Sequence, residues 1–331
     1  MLKNLTPRSH PVAGVFLGPC CIVRIALPRT LAQSSSQVKE VLMSPNTIGA
    51  LMMMVSMGTF VMNDTLIKLT NGAVPLFQLI FLRGLLATCL IYMIARSFGA
   101  LRLKVSNRDK ALIALRGLFE VATAYLFISA LFNMPLGNLN AIMQVVPLTV
   151  TLGSALFYRE AVGWRRMLAI VIGLCGVMMI VRPGVEGFNI WSLYALASVV
   201  GVTIRDLITR RLSREVSGMT VTLGTTFSVM AAAGLASLTQ DWAPVSNSSW
   251  MSICAAALFV SVGYFTSIQA MRIGEVSFIA PFRYTGLVMA MLIGFFIFNE
   301  VPRPFTLLGA AIVMATGMFT FYRERKLAQR A

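Results

Sequence analysis

Apolar residues along this chain come in runs of roughly 20 separated by short polar connections, and a run of that length crosses about 30 Å of hydrocarbon as an α-helix. Ten such spans are predicted, near 48–69, 74–95, 111–132, 139–158, 167–181, 190–207, 220–238, 250–271, 276–298 and 305–322. The pattern therefore predicts an all-α integral membrane protein with ten transmembrane helices. Two stripes of small residues recur every four positions, Gly224, Ser228, Ala232, Ala236 and Gly286, Ala290, Gly294. Such spacing lets helix backbones approach closely and serves a packed bundle.

The pattern is also written twice. "ALFNMPLGNLN" leading to "ALFYRE" recurs as "AMRIGEVSFIA" leading to "FFIFNE", at a constant offset that sets Ala130 on Ala270 and Glu160 on Glu300. Further upstream "MNDTLIK" recurs as "IRDLITR" with the offset changed by two residues, setting Asp64 on Asp206 and Lys68 on Arg210. A duplicated half follows. Each half holds an odd number of spans, so the second enters the membrane from the opposite side and the halves are expected to be two inverted five-helix repeats. The expected organisation is a basic cytoplasmic tail at 1–45, repeats at 46–183 and 187–322 joined by "RPGVEG", and a basic cytoplasmic tail at 323–331. An internal start such as Met43 is an alternative beginning for the functional protein.

Composition agrees with this picture, because only 12% of the residues are charged where a soluble chain carries about 25%. The formal net charge of +16 raises nucleic acid as a partner, but the location of the charges argues against it. Clusters such as Arg108 with Lys110, Arg165 with Arg166, Arg210 with Arg211, and Arg323 with Arg325 all fall in connections on one side, while the other side holds only Lys68, Arg182 and Arg303. That asymmetry follows the positive-inside rule and places both termini in the cytoplasm. Tryptophans 164, 191, 242 and 250 fall near span ends, as interfacial anchors do. Five cysteines show no metal-ligand spacing. No metal or other cofactor and no nucleic acid is expected, and the expected state is a monomer or homodimer in the lipid bilayer.

Candidate chemistry lies in the few polar residues within the spans. A charge in hydrocarbon costs about 2.5 to 3.5 kcal/mol on insertion scales, so Arg83, Arg116, Glu120 and Arg283 need partners or a wet cavity. Arg116 and Glu120 are four residues apart on one helix face, either as a mutually neutralising pair or with Glu120 accepting a proton or a substrate donor. Arg83 has Asp64 or a carbonyl as possible partner. Arg283 beside Tyr284 offers a guanidinium next to a ring, suited to a planar ligand. Asn140, Gln144 and Gln269 both donate and accept at membrane depth. Tyr125 and Tyr264, nearly matched in the repeat, either stack on a flat ring or simply pack. Pro147 and Pro281 can bend their helices and free a carbonyl. Asp64 and Asp206 are expected as cap or interface charges, and Glu160 and Glu300 as caps on the next helix. Glu120 is then the one acid deep enough to take up and release a proton at membrane depth.

Ten spans in two inverted halves, with a glutamate closing the fourth and ninth spans before a glycine-bearing helix ("REAVGWRRMLAIVIGLCG" and "NEVPRPFTLLGAAIVMATG"), resemble the EamA family of the drug/metabolite transporter superfamily over about 48–322. The resemblance implies a secondary transporter that moves a small molecule by alternating access, with substrate held between the halves. Within the family the chain is most like bacterial riboflavin importers, with S-adenosylmethionine carriers next. Riboflavin uptake is the specific expectation; an S-adenosylmethionine exchanger or an amino-acid or metabolite exporter is the alternative. A channel and a ligand-binding membrane receptor are the readings from other classes. No enzyme is expected, since the single histidine, His10, lies in the tail and no span holds a pair of acids.

Overall fold

The computed structural model describes residues 44–328 except 71, 100–104, 160–162, 183–188 and 214, and all of them belong to one unit, Met43–Ala331. The expectations for the N-terminal tail, for Glu160 and for most of the "RPGVEG" join fall outside the described residues. Among the described residues twelve α-helices and one 3-10 turn make up ten spans. They are α1 (Pro45–Leu69), α2 (Leu76–Ser97), α3 (Asn107–Asn133), α4 (Leu136–Met143) with α5 (Val146–Tyr158), and α6 (Trp164–Val181). The second set is α7 (Ile190–Arg210), α8 (Gly218–Ser237), α9 (Asn247–Ile273), α10 (Val276–Ile279) with a 3-10 turn (Ala280–Tyr284) and α11 (Thr285–Phe298), and α12 (Pro304–Ala328).

The helix starts follow from capping. Ser44, Ser106, Asn189, Ser217 and Ser246 each turn a side-chain oxygen onto a backbone N–H of the first turn of α1, α3, α7, α8 and α9, satisfying donors that a helix start leaves unpaired. Two spans are broken. Pro147 has no N–H to give the carbonyl of Met143, and α4 stops there in a turn at Gln144 and Val145 before α5 begins. Pro281 stands in the 3-10 turn that interrupts the ninth span.

The duplication is visible in the backbone. Ser106 and Ser246 cap α3 and α9 in the same way, 140 residues apart. Arg159 and Asn299, again 140 apart, both close their helices in the left-handed region at φ 53°. Their N–H groups donate to Ser154 and Gly294, once more the same offset. Packing repeats as well: α1 lies along α9 as α3 lies along α7, and α2 packs on α8, α4 on α11 and α6 on α12.

Lipid tails are as apolar as leucine, so close packing rather than water exclusion holds such helices together. At the crossing of α6 with α12 a Cβ on Gly309 would lie 2.5 Å from the Gly176 carbonyl, so only glycine permits that approach. Ser228, from the first small-residue stripe, occupies the space beside Gly117 on α3. The largest apolar cluster, with Leu79, Leu131, Leu139, Ile142 and Leu148 fully buried, ties α2, α3 and the fourth span together.

Glu300 corrects one expectation. It caps the start of α4, not the helix that follows it: its Oε2 accepts from the Leu136 N–H at 2.7 Å. Oε1 accepts from Lys68 Nζ at 2.5 Å, and Lys68 also donates to the Met134 carbonyl at 2.7 Å. The left-handed close at Asn299 turns the chain back, which aims Glu300 at the opposite half.

Candidate functional site

Helical spacing turns a small set of side chains to one centre. Met57, Phe60 and Asp64 share a face of α1, and Glu120, Thr123 and Phe127 share a face of α3. With Arg83 of α2, Asn140 and Gln144 of the broken fourth span, Arg205 of α7, Tyr264 and Ser267 of α9, and Arg283 of the 3-10 turn, they enclose a cavity of about 380 Å³. That volume lies in the range of about 300 to 1,000 Å³ that holds small molecules. Both span breaks open onto it, where irregular backbone is tolerated because it lines a cavity and not lipid.

Two ionic clusters sit on its wall. In the first, Arg83 Nη1 donates to Asn63 Oδ1 at 3.0 Å, and Asn63 Nδ2 donates to Asp64 Oδ1 at 3.0 Å. Asn63 thus spaces a cation from an anion. Arg83 Nε is buried without a hydrogen-bond partner. In the second, Glu120 accepts from Arg205 Nη1 at 2.9 and 3.0 Å, with Arg116 at 3.7 Å on its other side. Arg205 Nε also donates to Asp206 at 3.0 Å, and Arg116 Nε to Thr209 at 2.8 Å. Tyr264 and Phe60 meet edge to face on the same wall, with ring centroids 5.3 Å apart.

Six of the ten expected ligands therefore meet in one place: Arg83, Glu120, Asn140, Gln144, Tyr264 and Arg283. The other four do not line the cavity. Arg116 stands behind Glu120. Tyr125 stacks on Phe77 and leans on Tyr194, with centroids at 5.7 and 6.2 Å; Tyr264 is 139 residues on from Tyr125, so it echoes Ala124, and one residue rotates a helical side chain by about 100°. Gln269 is five residues past Tyr264 and so faces some 140° away. Tyr284 follows Arg283 in a 3-10 turn of three residues per revolution, which sends the two side chains apart. It is buried against Gly317 of α12 with its hydroxyl unpartnered.

Three residues were missed. Asn63 and Asp64 are buried in the cavity wall, not interface caps, so Glu120 is not the only deep acid. Arg205 is the tightest partner of Glu120, closer than Arg116. The available signal was the repeat itself, since Asn63-Asp64 and Arg205-Asp206 are the same position in "MNDTLIK" and "IRDLITR". Among the described residues no three His, Cys, Asp or Glu side chains gather as metal ligands would.

The model of the EamA-like transporter family matches twice, over residues 47–182 and 189–322. A Rickettsia conorii S-adenosylmethionine uptake transporter is 24% identical over 81% of this chain and 90% of its own length. A Vibrio cholerae riboflavin transporter is 28% identical over 65% of this chain and 73% of its own. The pseudopaline exporter CntI of Pseudomonas aeruginosa strain UCBPP-PA14 is 23% identical over 80% and 93%.

Proposed function

Because the chain belongs to the EamA-like transporter family, we propose that it carries a small zwitterionic metabolite with a flat ring, of which S-adenosylmethionine is the first candidate, into the cell across the bacterial inner membrane. It is a multi-pass membrane transporter and not an enzyme. The halves are read as inverted, with both termini cytoplasmic, and they expose the cavity to either side in turn.

One observation carries the substrate class: Arg83 is a buried guanidinium whose only hydrogen-bond acceptor among the described residues is a neutral amide, and Asp64 stands across that amide. Among the described residues neither is in an ion pair. A ligand carboxylate on Arg83, assisted by Arg283, and a ligand cation on Asp64 would meet both charges directly, whereas a neutral ligand would leave them to offset each other only across the Asn63 amide. Phe60 and Tyr264 supply faces for a ring or a sulfonium. The name of the Rickettsia relative agrees with this reading. Riboflavin is the second reading, favoured by the uncharged donors and acceptors of Asn140, Gln144 and Ser267 around the same rings and by the Vibrio relative.

Uptake of labelled S-adenosylmethionine and labelled riboflavin, each into bacteria that lack their own route for it, separates the two. Saturable S-adenosylmethionine uptake is expected, and Arg83→Gln is expected to weaken it by roughly 30-fold or more, the equivalent of about 2 kcal/mol for truncating a buried charge pair. Riboflavin uptake indifferent to Arg83→Gln would select the second reading. Glu120 is the proposed coupling group, since proton entry there would release Arg205. Glu120→Gln is expected to abolish accumulation driven by a pH gradient while sparing part of the exchange; unchanged accumulation would remove it from that role.

A further inference from the structure

The side of the bundle poorest in basic residues puts its three cations in one neighbourhood. Arg182, at the end of α6, and Arg303, just before α12, line a pocket of about 190 Å³, and Lys68 binds Glu300 in its wall. The pocket is built by both halves and is separate from the central cavity: Ile142 of α4 faces it, while Asn140 and Gln144 face the centre. Among the described residues its charge is unbalanced. Both oxygens of Glu300 are already engaged, by Lys68 and by the Leu136 N–H, and among the described residues neither arginine is paired with a carboxylate. Arg182 is held over the Phe305 ring, its guanidinium carbon 4.4 Å from the centroid, which fixes the donor fork without neutralising it.

Arginines in the connections on the opposite side are what the positive-inside rule demands, but here the rule works against any cation. Two guanidiniums that no described carboxylate pairs line one concavity from different halves, with the Asn138 amide on the same wall, and make a set of donors suited to a carboxylate or phosphate. The pocket has room for several waters of about 30 Å³ each, and so for a small oxyanion. We propose that it is a second binding site, for a small carboxylate- or phosphate-bearing anion, distinct from the transport cavity. The same chemistry is offered by a free anion and by the headgroup of an anionic lipid.

The test is the unfolding temperature of the full chain, titrated with inorganic phosphate against chloride at matched ionic strength, and separately in nanodiscs of phosphatidylcholine with and without phosphatidylglycerol. A saturable rise of a few degrees with phosphate, lost in R182Q/R303Q, assigns a free-anion site; a rise with phosphatidylglycerol alone, lost in the same variant, assigns a headgroup site. Arg303 is exposed, so R303Q by itself keeps the fold and must reduce the rise if the double variant fails to fold. No shift in either arm, a shift indifferent to R303Q, or one abolished by Arg83→Gln instead, overturns the proposal.

Discussion

Arg83, Asn63 and Asp64 show how single residues set what the protein can hold. A guanidinium in hydrocarbon is tolerated only with a partner, and here the partner is an amide that also binds the acid, so the pair is kept apart and available. The second cluster is closed: Glu120 lies between Arg205 and Arg116. Breaking a buried pair by removing one member leaves an uncompensated charge and costs about 3 to 5 kcal/mol. Arg205→Gln is therefore expected to lower the unfolding temperature sharply, and adding Glu120→Gln to recover a good part of the loss; costs that simply add would show that the two are not coupled. Arg83 and Glu120 were legible in the sequence because charge mid-span is conspicuous. Arg205 was not, because an arginine near a span end beside Asp206 looks like an ordinary interface charge, and its partner is 85 residues away. Tyr125 misled for a different reason: an offset of 139 instead of 140 residues is invisible by eye but turns the ring to another face.

At the scale of elements, caps and breaks decide where helices stop and what they face. The ten spans were legible because each needs about 20 apolar residues; their ends moved by a few residues because capping serines such as Ser106 and Ser246 lie outside the apolar runs. The breaks were only half legible. Proline announces that a helix can bend, but the 3-10 geometry that parts Arg283 from Tyr284 depends on packing against α12. Glu300 belongs to this scale, since one carboxylate caps α4 and holds Lys68 of α1. Glu300→Ala is expected to cost about 3 kcal/mol or more, as both a cap and a partly buried ion pair are lost. Glu300→Gln keeps an acceptor for the Leu136 N–H and should cost clearly less. Chemical denaturation of the two variants in one detergent checks the order; equal losses would mean that the cap contributes nothing.

For the whole molecule the duplication matters most. The offset of 140 residues that aligns the sequence also relates the caps, the left-handed closes and the helix pairings, so the halves are built alike. Their chemistry is not alike, because Arg83, Glu120 and Tyr264 have Thr225, Val260 and Ala124 at or near the equivalent positions. Like scaffolds around an unlike site suit a carrier that rocks between two openings while presenting one polar arrangement to its cargo. A channel passes its solute without a bound, exchanging state. The most direct measurement is counterflow: purified protein in liposomes loaded with unlabelled S-adenosylmethionine, with label added outside and no ion gradient. Transient accumulation of label above equilibrium, lost with Arg83→Gln in protein that stays folded, is the predicted result; label that only rises to equilibrium, at the same rate in both proteins, would contradict a carrier organised around this cavity.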